Sequence, residues 1–197
     1  VIPDTSSLSN PTLTASDNPV QSLTVAGSGT LVGGGFKISV SGASSSVAFD
    51  TDGIISGVLD LEINSAAAVK LDLVTSDGSY VRNLIINHAS CDAFIEGNTR
   101  ISGNLTLTAG KLTCTTQAGA ARTFTVDGTT VVGAGGSANA AILTATSEDL
   151  LLGTGITSAA GLSILQGGTF VGGSAVTTMG GSFSMASHAD AIATLRS

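Results

Sequence analysis

The sequence predicts an all-β protein whose short strands stack into a parallel β-solenoid. Three observations favour this fold: short runs of alternating polar and apolar residues recur along the chain, no spacer between them is long enough for a crossover helix, and three segments share one pattern. We expect an extended N-terminal arm over residues 1–21, a solenoid body over 22–183 and a C-terminal cap over 184–197 that could form a short helix. An antiparallel β-sandwich is the alternative fold.

The strand prediction depends on alternation. Residues 101–116, "ISGNLTLTAGKLTCTT", alternate polar and apolar residues with one interruption, and runs such as "FKISV", "LDLEI" and "NLIIN" do the same. Such runs return about every seven to ten residues and are bounded by Gly, Asp, Asn and Ser, which is typical of strands between tight turns. Because the spacers are short, doubly wound α/β folds are excluded and a sandwich, a barrel or a solenoid is left.

Internal repetition favours the solenoid. The segments "LTVAGSGTLVGGG" (23–35), "FTVDGTTVVGAGG" (124–136) and "LSILQGGTFVGGS" (162–174) each contain a strand, a glycine turn, a threonine and an apolar residue followed by valine. A unit that cannot bury its own apolar side must stack on its neighbours, so we expect coils of about 18 to 25 residues on rungs about 4.8 Å apart. Glycines would supply positive φ at the corners.

The two ends of the chain differ from the body. Pro3, Pro11 and Pro19 are the only prolines and all lie in the first 21 residues, which predicts an extended arm outside the regular sheet. A flexible linker is the alternative for this segment. At the other end, Ser187 can act as a helix N-cap and Arg196 suits the last turn of a helix, so residues 187–197 are the one candidate helix.

The composition predicts assembly. Charged residues make up 11% of the chain, against about 25% in typical domains, and aromatic residues only 4%, so Ser, Thr, Asn, Gly and Ala must form most of the surface. Such a surface suits packing against other copies. The net charge of −7 with seven basic residues argues against nucleic-acid binding, and no apolar run approaches the length of about 20 residues that spans a bilayer.

Two acidic patterns are candidates for a functional site. Asp60 and Glu62 in "LDLEI" share one strand face, as carboxylates of a glycosidase would, but the chain lacks aromatic platforms for sugars and we interpret both as exposed, solvated side chains. "DTDG" at 50–53 resembles the opening of a calcium loop, but the later ligands are missing, which leaves an acidic turn. We assign no catalytic, cofactor-binding or metal-ligating residue.

Other reactive residues are equally isolated. Cys91 and Cys114 belong to no metal-type pair, and we interpret them as buried thiols, although neighbouring coils could bring them together as a disulfide. His88 and His188 lie far from any nucleophile signature, and the glycine runs at 33–35 and 133–136 are interpreted as corners. A flat threonine ladder of the ice-binding kind is not favoured, because the threonine spacing changes along the chain; its candidates are Thr106, Thr108, Thr113, Thr115 and Thr116.

Residues 81–126 carry a resemblance to a known group of proteins. The order of "NLIIN", a polar turn, "TRISGNLTLTAGKLT" and a further strand resembles repeats of β-helical bacteriophage fibre and virion surface proteins. It is also similar to repeats in secreted bacterial adhesins of the autotransporter and filamentous-haemagglutinin type. The resemblance implies a β-helical surface element, often trimeric, and carries no catalytic residue over.

These observations together predict a non-enzymatic virion structural protein, a fibre or decoration element of a phage head or tail. Its expected partners are copies of itself, as a homotrimer, and other virion proteins bound through the N-terminal arm, with a host-surface glycan or receptor as a further candidate. The expected location is the virion surface. The alternatives are an adhesin segment on a bacterial cell surface or outside the cell and, less favoured, a tailspike glycan hydrolase.

Overall fold

The computed structural model of the protein describes residues 11–15, 18–42, 47–73, 79–115, 122–134, 141–145, 150–152, 160–172, 177–186 and 194–196. In these residues the first ten strands are β1 (Asn18–Val20), β2 (Leu23–Thr24), β3 (Thr30–Val32), β4 (Lys37–Val40), β5 (Val47–Asp50), β6 (Ile54–Ser56), β7 (Asp60–Ile63), β8 (Ala68–Asp72), β9 (Asn83–Ile95) and β10 (Thr99–Ile101). The remaining strands are β11 (Leu105–Thr113), β12 (Phe124–Val126), β13 (Thr130–Val132), β14 (Ala141–Thr144), β15 (Leu150–Leu152), β16 (Ala160–Ile164), β17 (Gly168–Val171), β18 (Thr177–Met179), β19 (Ser182–Met185) and β20 (Thr194–Arg196).

The strands form three faces of a parallel β-solenoid. Face A stacks β1, β4, β7, β9, β11, β13, β16 and β19 in that order. Face B stacks β2, β5, β8, the ends of β9 and β11, β14, β17 and β20, and face C contains the pair β3–β6 and the series β10, β12, β15 and β18. The registered strand pairs are all parallel. The predicted solenoid is therefore confirmed, and the alternative antiparallel sandwich is wrong.

The core is a set of inward columns that run along the solenoid. On face A, Leu61 pairs with Leu84, Leu84 with Leu105, Leu105 with Thr130 and Thr130 with Leu162, and these side chains are at most 1% exposed. Each fully buried leucine contributes about 1.5–3 kcal/mol. The alternation that the sequence shows is thus the alternation between this lumen and the outer surface.

Glycine forms the corners where the chain turns between faces. Gly110 has φ +85°, and a Cβ there would lie 2.4 Å from the carbonyl oxygen of His88 on the preceding coil. A side chain is therefore excluded by conformation and by space. The predicted corner at 33–35 is also confirmed as the turn between β3 and β4.

The three similar segments occupy three different corners. Residues 23–35 pass from face B to face C, and the described parts of the other two segments, 124–134 and 162–172, pass from C to A and from A to B. The shared pattern therefore marks a strand, a turn and a strand, and not one position in a coil. Each of these three corners needs a tight turn between two short strands, a position that favours Gly and small polar residues.

The described part of the N-terminal arm belongs to the solenoid. The backbone of Val32 donates to Pro11 O and accepts from Leu13 N, both at 2.9 Å, and β1 pairs with β4 in register. This differs from our expectation of an arm outside the sheet. Val20 O accepts from Ser41 N at 2.9 Å, so the backbone polar groups of Val20 face β4. Because these groups alternate in direction along a strand, the nitrogen of Pro19 faces away from β4, and the sheet loses no hydrogen bond to it.

The predicted C-terminal helix is wrong where the structure describes it. Residues 194–196 form β20, whose partner is β17, with Thr194 opposite Thr169. The described residues contain no helix. Backbone pairing with the exposed edge of β17 satisfies the polar groups of a segment too short for a stable helix. Residues 187–193 and 197 of that prediction lie outside the described residues.

Candidate functional site

The two carboxylates considered as catalytic residues lie on face A, and the first is held in a fork of donors. Asp60 accepts from Arg82 Nε at 2.8 Å and from Arg82 Nη2 at 2.6 Å, one bond to each carboxylate oxygen. Asn83 Nδ2 donates a third bond at 2.9 Å. The arrangement also raises the pKa of the Arg82 guanidinium, chiefly through its bonds to Asp60. Asp60 and Arg82 therefore form a bidentate ion pair.

The second carboxylate is buried, which corrects the interpretation of Glu62 as an exposed side chain. Glu62 is 8% exposed and accepts from Lys37 Nζ at 2.6 Å, Ser39 Oγ at 3.3 Å and Asn87 Nδ2 at 2.8 Å. Burial by itself would raise the pKa of Glu62, but the bonds from Lys37 and Asn87, with the charge of Lys37, outweigh it and lower the pKa. Glu62 is thus an anion at neutral pH.

These contacts belong to a longer series that we call the polar ladder. The series runs from one coil to the next along the outside of face A: Thr108 Oγ1 donates to Asn87 Oδ1 at 2.5 Å, Asn83 Oδ1 accepts from Asn104 N at 2.8 Å, and Asn104 Oδ1 accepts from Thr129 N at 2.9 Å. It consists of Lys37, Ser39, Asp60, Glu62, Arg82, Asn83, Asn87, Asn104, Thr108 and Thr129.

The side chain of Asn83 in the ladder explains why residue 103 is a glycine. A Cβ on Gly103 would lie 2.5 Å from Asn83 Oδ1, so the amide can reach the next coil only past a glycine. This role of the asparagines was not predicted from the sequence. The signal was the asparagine placed directly before the strand runs that begin at Leu84 and Leu105.

A further ion pair lies on face C. Arg100 Nε donates to both oxygens of Asp127, at 3.1 Å and 3.0 Å, and its guanidinium lies 5.0 Å from the centre of the Tyr80 ring. These contacts raise the pKa of Arg100, with the hydrogen bonds to Asp127 as the largest cause. Tyr80 is 38% exposed. The cluster ties adjacent coils together at the surface.

The "DTDG" segment forms the turn between faces B and C. Burial raises the pKa of Asp50, and the neighbouring Asp52 and Asp72 carboxylates raise it further. The described residues contain no group of three or more His, Cys, Asp or Glu side chains arranged to hold a metal ion. The segment is an acidic turn in which the Asp50 carboxylate lies near the like charges of Asp52 and of Asp72 on β8.

The cysteines are separate, buried thiols. Cys91 and Cys114 form no disulfide and are 3% and 0% exposed. Burial, with a smaller effect of Asp92, raises the pKa of Cys91 to about 12. The sequence allows a disulfide between these two cysteines, but the structure has none between them. A thiol with this pKa is protonated and unreactive at neutral pH.

The remaining candidates do not form a site. His88 lies on β9, where its Nδ1 accepts from Ser90 N at 3.1 Å, and His188 lies outside the described residues. The threonines do not share a flat face, since Thr113 and Thr115 are buried while Thr106 and Thr108 are half-buried. Thr116 lies outside the described residues.

Comparisons of the chain with protein-family models, curated proteins and solved structures find no match. Among the described residues there is no helix of the length and apolar character needed to cross a membrane. The fold defines the chain as a parallel β-solenoid protein. The polar ladder on its face A joins successive coils through side-chain hydrogen bonds.

Proposed function

We propose that this protein is a non-enzymatic structural rod that associates with copies of itself, and that it serves as a fibre or decoration element on a bacteriophage particle. The observation that carries self-association is the distribution of charge on the solenoid. Described residues between 128 and 186 include no Asp, Glu, Lys or Arg. The ion pairs described above all lie before that point, so the described part of the later coils up to residue 186 carries no charged side chain.

The outer surface of these later coils is partly apolar. On the coil that contains β13, β14 and β15, the outward residue Val131 lies on face A, Ile142 on face B and Leu151 on face C, and all three are half-buried. Packing against a neighbouring copy would remove them from water at about 25 cal/mol per Å².

The ladder supports a mechanical role over a catalytic one. A glycan hydrolase needs a protonated carboxyl as general acid. Glu62 has a lowered pKa, and Asp60 is paired with Arg82. Both carboxylates instead join successive coils, which suits a rigid rod.

The placement on a virion depends on the resemblance of residues 81–126 to phage fibre repeats, with the homotrimer as the expected assembly and the N-terminal arm as the expected attachment. A bacterial surface adhesin would use the same rod, and binding to a cell surface or glycan would distinguish it. Electron microscopy of purified bacteriophage particles, labelled with an antibody against this chain, tests the virion location. Labelling of bacterial cells without particles would favour the adhesin.

Self-association is tested by light scattering on the purified chain. We expect a mass that is a multiple of 19.2 kDa at micromolar concentration. Three single variants, Val131→Lys, Ile142→Lys and Leu151→Lys, each place one charge on a different face of the same coil. The variant on the contacting face should reduce the mass, and the others serve as matched controls. A monomeric wild-type chain, or three variants that all keep the wild-type mass, would contradict lateral packing.

A further inference from the structure

Face C is bordered on one side by a column of carboxylates. Asp50 and Asp72 pair in register at the ends of β5 and β8, and Glu96 follows the end of β9 one coil further on. Asp52 is exposed in the turn between β5 and β6. Burial first, and the like charges of Asp52 and Asp72 second, raise the pKa of Asp50. A cation brought to this border would therefore be favourable. We call these four residues the acidic edge.

The acidic edge keeps an excess of carboxylates when the nearby basic residues are counted. Lys70 precedes Asp72 by two residues, and Arg122 Nε donates to the backbone oxygen of Glu96 at 3.0 Å. Arg196 lies on β20, the last strand of face B, at the far end of the rod. The described residues of this border thus include four carboxylates and two cations. Three further acidic residues follow strands of face B in the sequence and lie outside the described residues: Asp77, Glu148 and Asp149.

The opposite border of face C exposes two guanidinium groups. The side chains of Arg82 and Arg100 are 43% and 48% exposed, whereas those of their partners Asp60 and Asp127 are 17% and 16% exposed. Asp60 begins β7 and Asp127 follows the end of β12, so both ion pairs lie where face C turns into face A. On this border the cation of each pair faces solvent more than its counter-ion does.

Two exposed apolar side chains accompany these arginines. Val58 lies between β6 and β7 and is 39% exposed, and Tyr80 is 38% exposed. The centre of the Tyr80 ring lies 5.0 Å from the guanidinium of Arg100. Tyrosine and arginine are the side chains that most often dominate contacts between proteins. We call Val58, Tyr80, Arg82 and Arg100 the arginine edge.

The two edges occur in the same coils. In one coil Asp52 precedes β6 and Val58 follows it, and in a later coil Glu96 precedes β10 while Arg100 lies on it. One coil rises by a single rung of about 4.8 Å, so the two borders of face C lie at nearly the same height. A rotation about an axis parallel to the rod preserves height. It can therefore bring the arginine edge of one copy against the acidic edge of another.

We propose that three copies of this chain form a ring in which face C lines the three-fold axis and the arginine edge of each copy binds the acidic edge of the next. The contact joins two different patches, and three is the smallest number of copies that such a contact can close into a ring. Further along face C the outward residues are uncharged, since Leu151 pairs in register with Thr125 and Thr178. The inference rests on the proposed self-association and identifies the surface that makes it.

Cysteine cross-linking tests the contact without changing either arginine. The double variant Asp52→Cys/Val58→Cys places one thiol on each edge of the same coil, and mild oxidation should give covalent dimers and trimers on a non-reducing denaturing gel. Each single variant should stay monomeric on that gel, because the contact joins unlike positions. The extended strand β6 separates the two positions within one chain and prevents an internal disulfide. The native cysteines are buried.

A second double variant is the matched control. Asn64 is exposed directly after β7 on face A, away from both edges, so Asp52→Cys/Asn64→Cys should give monomers. Equal cross-linking of this control would overturn the interface. Linkage of either single variant would indicate a two-fold contact and would overturn the ring, as would a lack of linkage in Asp52→Cys/Val58→Cys.

Charge reversal tests the electrostatic part of the contact. Arg82→Glu/Arg100→Glu reverses the arginine edge, and Asp72→Lys/Glu96→Lys reverses the acidic edge. Each double variant should lower the mass measured by light scattering three-fold, and all four changes in one chain should restore it. Far-ultraviolet circular dichroism checks that each variant folds. Folded single-edge variants that keep the wild-type mass would overturn the interface.

The mass of the wild-type chain separates this inference from the proposed self-association. We expect three times 19.2 kDa. A monomeric wild-type chain would overturn both, whereas an assembly of another size would overturn the ring and leave self-association standing. Among the three lysine variants of the lateral surface, Leu151→Lys should be the one that lowers the mass. Loss of mass only in Val131→Lys or Ile142→Lys would place the contact on another face and overturn the ring.

Discussion

Replacing Thr130 by valine should stabilise the protein. Thr130 is 0% exposed and lies in the inward column between Leu105 and Leu162. Its hydroxyl has no hydrogen-bond partner among the described residues. Valine has nearly the same shape and removes a polar group from an apolar lumen, so the folded state loses no contact that depends on the hydroxyl.

The magnitude follows from the environment of the hydroxyl. A buried, unsatisfied polar group costs about 1–3 kcal/mol, and each kcal/mol shifts the melting temperature of a chain of this size by about 2–4 °C. We therefore expect Thr130→Val to raise the melting temperature by at least about 2 °C. Thr51 is the matched control: it is also 0% exposed, but its Oγ1 donates to Asp72 O at 3.3 Å. Thr51→Val should lower stability.

The assay is thermal and denaturant unfolding followed by circular dichroism, with unchanged far-ultraviolet spectra as the test that each variant folds. A neutral or destabilised Thr130→Val would refute the reasoning. It would mean that the hydroxyl is satisfied, for example by a water molecule held in the lumen. Equal shifts in Thr130→Val and Thr51→Val would mean that β-propensity, and not hydrogen bonding, decides the effect.

Three further predictions concern titratable groups. Because the folded pKa of Asp50 is raised, its ionisation opposes folding as the pH rises above 3.8; Asp50→Asn should therefore stabilise the protein at pH 7 by less than about 1 kcal/mol, and the gain should vanish in acid melts. Glu62 has a lowered pKa, so its contribution is present above 4.5 and is lost as the pH falls through the folded pKa. Lys37→Met should cost about 1–3 kcal/mol at pH 7 and progressively less in acid; a deficit independent of pH would contradict the pairing. Cys91 and Cys114 should resist a thiol reagent in the native state and react fully in denaturant; rapid native labelling would disprove their burial.

The fold could be predicted because its determinants are local. Alternation in residues 101–116 places β11 correctly, and glycine at residue 110 marks the corner within it. The stacking of coils follows from the need to cover apolar faces. Pro19 shows the limit of such reasoning, because whether a proline is tolerated depends on which edge of a strand is free.

The polar ladder could not be predicted, because it depends on the offset between coils. Glu62 lies outward by alternation, and an outward carboxylate in a single strand is exposed. It becomes buried only because the pairing of Ser39 with Glu62, and of Glu62 with Ile85, brings donors from the coils on either side. That offset is 23 residues at both steps and is not visible within any one coil.

The rungs lie across the axis of the rod, which determines how the molecule would respond to tension. A force applied between the two ends acts along the hydrogen bonds between coils and loads one rung at a time. The coils should therefore unfold one after another from an end of the rod. Paired positions on face A are separated by 20 to 25 residues at most steps and by 32 between Thr130 and Leu162. Each ordinary coil would release about 70 to 85 Å of slack, with one longer step late in the chain. Under a sudden load, such a rod would dissipate energy by unfolding coil by coil, and its length would increase in steps before the whole solenoid unfolded.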